Sequence, residues 1–267
     1  MTALAYTLTD SRTMLRRNLR RLLRYPSMTL ILVGMPIVFL LLFVYVFGGQ
    51  LSHGLGQGLA GGHAGRSGYL NYVTPGILLM TVAAAVQGTA IVVAMDMTSG
   101  ITDRFRTMAI ARASVLAGHV LASLIQTLIS LAIVLGVAVA LGFRPTADPL
   151  RWLGAIGVLA LFGLALIWLA TALGLAAKSV ETASNTPMFL TLLPFLGSGF
   201  VPTATMPPVL RQFAAHQPFT PVTETVRGLL TGTAIGSHAV AAVAWSVGIA
   251  GAAYLWAVHL YTHRSAR

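Results

Sequence analysis

Long apolar runs, separated by short charged or glycine-rich breaks, dominate this chain. No charged side chain lies between Arg24 and Arg66, nor between Arg66 and Asp96. Apolar runs of about 20 residues are long enough to cross a bilayer as helices. The pattern predicts six such spans, at 28–47, 75–95, 115–143, 150–177, 186–200 and 239–260. Pro36 interrupts the first, and the fifth is short and carries Pro187 and Pro194. Two stretches read differently. Residues 4–24 put Leu4, Leu8, Leu15, Leu19 and Leu22 on one helical stripe and Arg16, Arg17, Arg20, Arg21 and Arg24 on the other side. That is the pattern of a basic amphipathic helix lying in the headgroup region, and Tyr25-Pro26 ends it and turns the chain into the membrane. Residues 201–232 stay fairly apolar but hold Pro202, Pro207, Pro208, Pro218 and Pro221, which suits a re-entrant or interfacial hairpin. The expectation is one all-α integral membrane domain over 1–267. It has an N-terminal elbow helix at 4–24, six spans, a charged loop at 96–114 and a hairpin at 201–232.

Composition agrees. The 267 residues are 56% hydrophobic and only 9% charged, whereas soluble domains carry about a quarter charged residues. The formal net charge of +11 raises the question of nucleic acid. The arginines sit at the ends of apolar runs, not on a soluble basic face, so no nucleic-acid partner is expected. Their distribution sets an orientation instead. With both termini inside, 12 of the 17 basic residues fall on the cytoplasmic side, leaving Arg66, Arg144, Arg151, Arg211 and Arg227 outside. This follows the positive-inside rule. The first apolar run is longer than a signal-peptide core, so it reads as a retained anchor. With no cysteine, disulfides, thiolate metal sites and cysteine nucleophiles are excluded.

Candidate chemistry is sparse. Lys178, the one lysine, sits in Gly174-Leu175-Ala176-Ala177-Lys178-Ser179, which lacks the spacing that wraps a nucleotide phosphate. Gly56, Gly58 and Gly61 match a dinucleotide-binding pattern only formally, with no strand before them and no helix after. His259 and His263 share a helical face but have no third ligand nearby, so no metal is expected. No nucleophile elbow or zinc-protease pair appears, and no span carries paired carboxylates for a proton relay. The chain thus has no expected catalytic residue. Small residues recur at helix-packing spacing, Ala132, Gly136 and Ala140 in the third span and Ala244, Gly248 and Ala252 in the sixth. Gln87, Gln126 and Asn185 are polar groups in or beside spans, open to a substrate path or to bonds across helices. Phe39, Phe43, Phe195 and Phe200, with Pro36, offer an aromatic surface for a greasy substrate or a dimer seam. The expected substrate path therefore takes Phe39, Phe43, Gln87, Asn185 and Phe195.

The most informative stretch runs from Asp96 to His119. Arg104, Arg106, Arg112, Asp96 and Asp103 gather there between nearly uncharged neighbours. If Ile101, Phe105 and Met108 form one helical face, the loop offers an apolar ridge flanked by charge, which is a docking surface. Asp96, Gly100, Asp103-Arg104-Phe105-Arg106, Arg112 and Gly118 together resemble the cytoplasmic signature of ABC-2 type transporter permeases, in particular the daunorubicin-resistance-like efflux branch. Ala109 stands where many members have Pro, and His119 where Arg or Lys is common. Tyr72-Val73-Thr74-Pro75-Gly76-Ile77, Phe200-Val201-Pro202 with Met206-Pro207, and His216-Gln217-Pro218 with Arg227-Gly228-Leu229-Leu230 extend the resemblance over nearly the whole chain.

The resemblance implies a multi-pass permease of the bacterial inner (plasma) membrane with both termini cytoplasmic. It implies that Asp96, Gly100, Asp103, Arg104, Phe105, Arg106 and Arg112 form a coupling helix seated in an ATPase subunit, present in two copies and itself holding ATP and magnesium. A second permease, identical or paralogous, completes the complex, which exports a hydrophobic drug, antibiotic or lipid-like compound. The 201–232 hairpin is then external, with Pro202, Pro207, Glu224 and Arg227 as a gate; Glu224 and Arg227 are spaced to pair on a helix. A lipid-linked polysaccharide exporter shares this topology, and an ATPase-independent channel or membrane enzyme is the reading from another class.

Overall fold

The computed structural model describes residues 26–48, 66–98 and 112–263. The elbow helix at 4–24, the glycine-rich loop and most of the charged loop lie outside the described residues. Among those described, the structure is helical throughout, without a strand.

Helix α1, Pro26–Leu41, continues as a π-helical turn, Leu42–Phe47. Helix α2, Arg66–Thr98, starts well before Pro75, which lies inside it and not at its start. Helices α3, Arg112–Ala140, and α4, Pro149–Ala176, follow. The Asp148 carboxylate accepts from the Arg151 amide at 2.8 Å and Pro149 occupies the first turn, so the start of α4 is written in its sequence. The 186–200 stretch, expected as one short span, is not one continuous helix. Helix α5, Val180–Asn185, stops short of Pro187; helix α6, Met188–Leu192, lasts just over a turn; and a run of turns reaches Phe200. Proline lacks the amide a helix interior needs, and Pro187 and Pro194 divide the stretch accordingly.

The 201–232 region holds a 3-10 turn, Thr203–Thr205, then helices α7, Pro208–His216, and α8, Phe219–Thr231. Its prolines were expected to break regular helix. Instead Pro208 and Pro218 open helices, where a missing amide costs nothing. Gly232 closes α8 in the left-handed region at φ 76°, its amide reaching Gly228 O at 3.0 Å. Helix α9, His238–His263, ends the described chain.

Among the described residues, four helices are long and apolar enough to cross a membrane: Ser67–Met97, Ala117–Ala140, Pro149–Ala176 and His238–Thr262; Leu32–Phe47 is a shorter apolar helix. Helix α2 runs through the core, with Val73, Ile77, Leu79, Ala83 and Val86 fully buried. Helix α4 packs against α2, α3, α8 and α9. Helix α9 does so through Ala242, Ser246, Ala253, Ala257 and Tyr261, a face on the helical period. The small-residue rows lie elsewhere. Ala132, Gly136 and Ala140, like Ala244, Gly248 and Ala252, are exposed among the described residues.

Candidate functional site

Helices α2 and α3 run in opposite directions, so the bundle has two ends with different chemistry. At one end the start of α2 meets the turns before Phe200 and the body of α8. Gly76 and Gly199 bring the two backbones together; a Cβ on Gly76 would sit 2.5 Å from Gly199 O. Such contact leaves the non-helical 194–200 backbone inside the protein with carbonyls to satisfy. Tyr72 Oη donates to Ser198 O at 2.9 Å, and Tyr69 Oη lies 3.5 Å from Phe200 O. Gln217 Nε2 donates to Leu193 O at 3.0 Å, and Thr220 Oγ1 accepts from Ser198 N at 3.4 Å.

Arg227 is the centre of this end. It is 6% exposed, and its guanidinium donates to Ser198 O at 2.7 Å and to Tyr72 O at 3.3 and 3.4 Å. It also pairs with Glu224 and lies over the Tyr72 ring at 3.9 Å. A buried cation survives only when its donors and charge are both met, and this planar fork meets two carbonyls, a carboxylate and a ring face. The Glu224–Arg227 pair expected from spacing is therefore present. Its fork, though, is turned inward onto α2 and the 194–200 turns, not held at a free edge. Pro202 and Pro207 bracket the 3-10 turn, half-buried and exposed respectively.

Beside this node lies an aromatic cluster that joins α1 to the same turns. Phe43 and Phe200 stack at 4.7 Å, Phe195 and Phe200 at 4.8 Å, and Phe39 meets Phe195 edge-on at 5.4 Å. Phe39, Phe43 and Phe195 are thus brought together, each partly buried against the core. Gln87 stands apart from them on α2 and donates to Ser184 O and Oγ at 3.2 and 3.3 Å, holding α5 against the bundle. Asn185, next to Ser184, is exposed.

At the other end, α2 leaves for the charged loop and α3 returns from it. Of the expected coupling residues, Gly100, Asp103, Arg104, Phe105 and Arg106 lie outside the described residues, and Arg112 opens α3 with its side chain undescribed. Asp96 is buried in the last turns of α2, where its Oδ2 lies 3.2 Å from His119 Nε2 of α3. The motif reading noticed His119 only as an unusual residue. Its partner is 23 positions away, and no periodicity links the two. No three metal-ligating side chains converge among the described residues.

A bundle of long apolar helices enclosing satisfied non-helical backbone is the architecture of a multi-pass helical membrane protein. The family model described as ABC-2 type transporter matches residues 9–231. The chain belongs to that family. It is 30% identical over 234 residues to the daunorubicin resistance ABC transporter permease protein DrrB1 of Streptomyces coeruleorubidus, covering 87% of this chain and 77% of that one. It is 28% identical over 175 residues to the probable doxorubicin resistance ABC transporter permease protein DrrC of Mycobacterium tuberculosis, covering 64% of this chain and 63% of the relative. These relatives place it in the drug-resistance permease branch.

Proposed function

We propose that this chain is the membrane-embedded permease of an ATP-driven exporter that moves a hydrophobic drug, antibiotic or lipid-like compound out of a bacterial cell. The observation that carries the reading is the ABC-2 match over 9–231 together with relatives named for daunorubicin and doxorubicin resistance. Members of this family work with ABC ATPase subunits. For this chain we take two ATPase copies, which hold ATP and magnesium, and a second permease, identical or paralogous. Both termini and the 96–114 loop face the cytoplasm, and the 201–232 hairpin faces outside.

In this reading Asp96, Gly100, Asp103, Arg104, Phe105, Arg106 and Arg112 make up the ATPase-coupling segment, with Asp96 acting from its buried place at the stem and the others seating the loop on the ATPase. Phe39, Phe43 and Phe195, with Gln87 and Asn185 nearer the cytoplasmic half, flank the path taken by an apolar aromatic compound. Support for this comes from the clustering of the three rings and the bond from Gln87 to Ser184. Arg227 and Glu224 anchor the external hairpin, and the 201–216 segment around Pro202 and Pro207 is its movable part. The test is an Arg104→Glu/Arg106→Glu double variant, coexpressed with the ATPase that copurifies with the unaltered chain. Export and compound-stimulated ATP hydrolysis should be lost while membrane insertion is kept; normal export would remove the coupling assignment.

A further inference from the structure

The end of α2 that leads into the charged loop is held firmly. On the α2 side the packing is close to backbone contact: a Cβ on Gly174 of α4 would lie 2.6 Å from Ala90 O and 2.9 Å from Val93 Cβ. Val93 also packs with Leu175 of α4 and with Ala257 and Tyr261 of α9, and Met97 lies against the same cluster. The last turns of α2 therefore sit on a platform made by α4 and α9. Among the described side chains, α3 contributes none to that cluster, though its Val120 and Ala122 are buried. Between α2 and the second turn of α3 lies the Asp96–His119 contact, with both side chains about nine-tenths buried, 11% and 10% exposed for His119 and Asp96.

The contact is close, yet it lies off the line of a well-directed hydrogen bond. The two groups meet in a site of low water access, where the carboxylate's attraction is screened little. A neutral group of the same shape would keep the packing and lose most of the attraction.

We propose that His119 is a positioning residue for energy coupling: through Asp96 it clasps the start of α3 to the fixed end of α2, so that force on the intervening loop reaches α3 and is not lost in spreading the stem. This rests on the assignment of the loop as the ATPase-docking element. Removing the clasp frees the stem without removing the docking surface. ATPase association survives while export per ATP hydrolysed falls. A permanent cation at the same position restores the clasp.

The test uses proteoliposomes holding the full chain and the ATPase that copurifies with it, with daunorubicin as probe compound. Export per ATP hydrolysed is compared for the unaltered chain, His119→Gln, Asp96→Asn, the double variant and His119→Arg. ATPase copurification and thermal unfolding are measured on each. A coupling free energy between sites is typically worth about fivefold or more. His119→Gln and Asp96→Asn should each lower the ratio by about that factor. The double variant should be no worse than Asp96→Asn alone, because both changes remove the same Asp96–His119 interaction, and His119→Arg should recover most of the loss. A full ratio in His119→Gln, losses that multiply in the double variant, or no recovery in His119→Arg would each overturn the clasp. If His119→Gln fails to accumulate, the exchanged pair Asp96→His/His119→Asp gives the same reading, and it must recover coupling. The loop assignment fails separately. If Arg104→Glu/Arg106→Glu exports normally, the docking reading falls; if that variant uncouples and His119→Gln does not, the clasp alone falls.

Discussion

The end of the bundle around Arg227 and the end around Asp96 solve opposite problems. The first must hold irregular backbone inside a protein built for a low-dielectric surrounding. It does so with directed bonds: Arg227, Tyr72, Gln217 and Thr220 each reach the 193–198 stretch, and a glycine pair closes the gap. Among the described residues, the second is made of regular helices. There α4 packs closely on α2 at Gly174, and Asp96 meets His119. Many bonds that must break together make a region stiff. The directed bonds around Arg227 therefore make its end an anchor for the irregular backbone.

Substitutions at the two ends can break that contrast. The largest effect is expected for Arg227→Met, which leaves the Ser198 and Tyr72 carbonyls and the Glu224 carboxylate without their shared donor. A loss of about 3 kcal/mol is expected, read as early thermal unfolding in detergent. Gly76→Ala comes next, because its Cβ would strike Gly199 backbone that the surrounding bonds keep from yielding; about 2 kcal/mol follows from overpacking. Gly174→Ala meets Ala90 O almost as closely, but α4 can slide along α2, and a smaller loss of about 1 kcal/mol is expected. A Gly174→Ala variant less stable than Gly76→Ala would reverse the assignment of stiffness. The smallest effect belongs to Gln87→Leu, which removes bonds to Ser184 only. Bonds across membrane helices average about 0.6 kcal/mol, so its unfolding should shift little; a loss rivalling that of Arg227→Met would mean that polar bonds matter equally throughout.

Reading the chain unaided, one recovers what repeats along it and what neighbours impose. The apolar runs at 115–143, 150–177 and 239–260 coincide with α3, α4 and α9, because each run is long enough to satisfy its own backbone as helix. The Glu224–Arg227 pair was legible from its spacing of three. Pro75 misled, since a proline suggests a boundary, yet α2 passes through it from Arg66. The prolines of 201–232 also misled, because the same missing amide that breaks a helix interior is harmless at a helix start. The bond from Arg227 to Tyr72 spans 155 positions, and Asp96 meets His119 across a loop. Neither leaves a periodic trace, so the centres of both ends were invisible although their residues had been noticed. For Phe39, Phe43 and Phe195, composition suggested an aromatic surface, and only the fold shows the rings touching.

The Gly76–Gly199 contact also constrains how such a chain can vary. A Cβ on Gly76 would meet the Gly199 backbone, and one on Gly199 would lie 3.1 Å from Gly76 Cα. No second substitution at the facing position makes room, since each glycine is already the smallest residue and the obstacle is main chain. Mutations at either site cannot be rescued by their partner. Ancestry can therefore reach a side chain at these two positions only by first rebuilding the path of the backbone between Leu193 and Phe200.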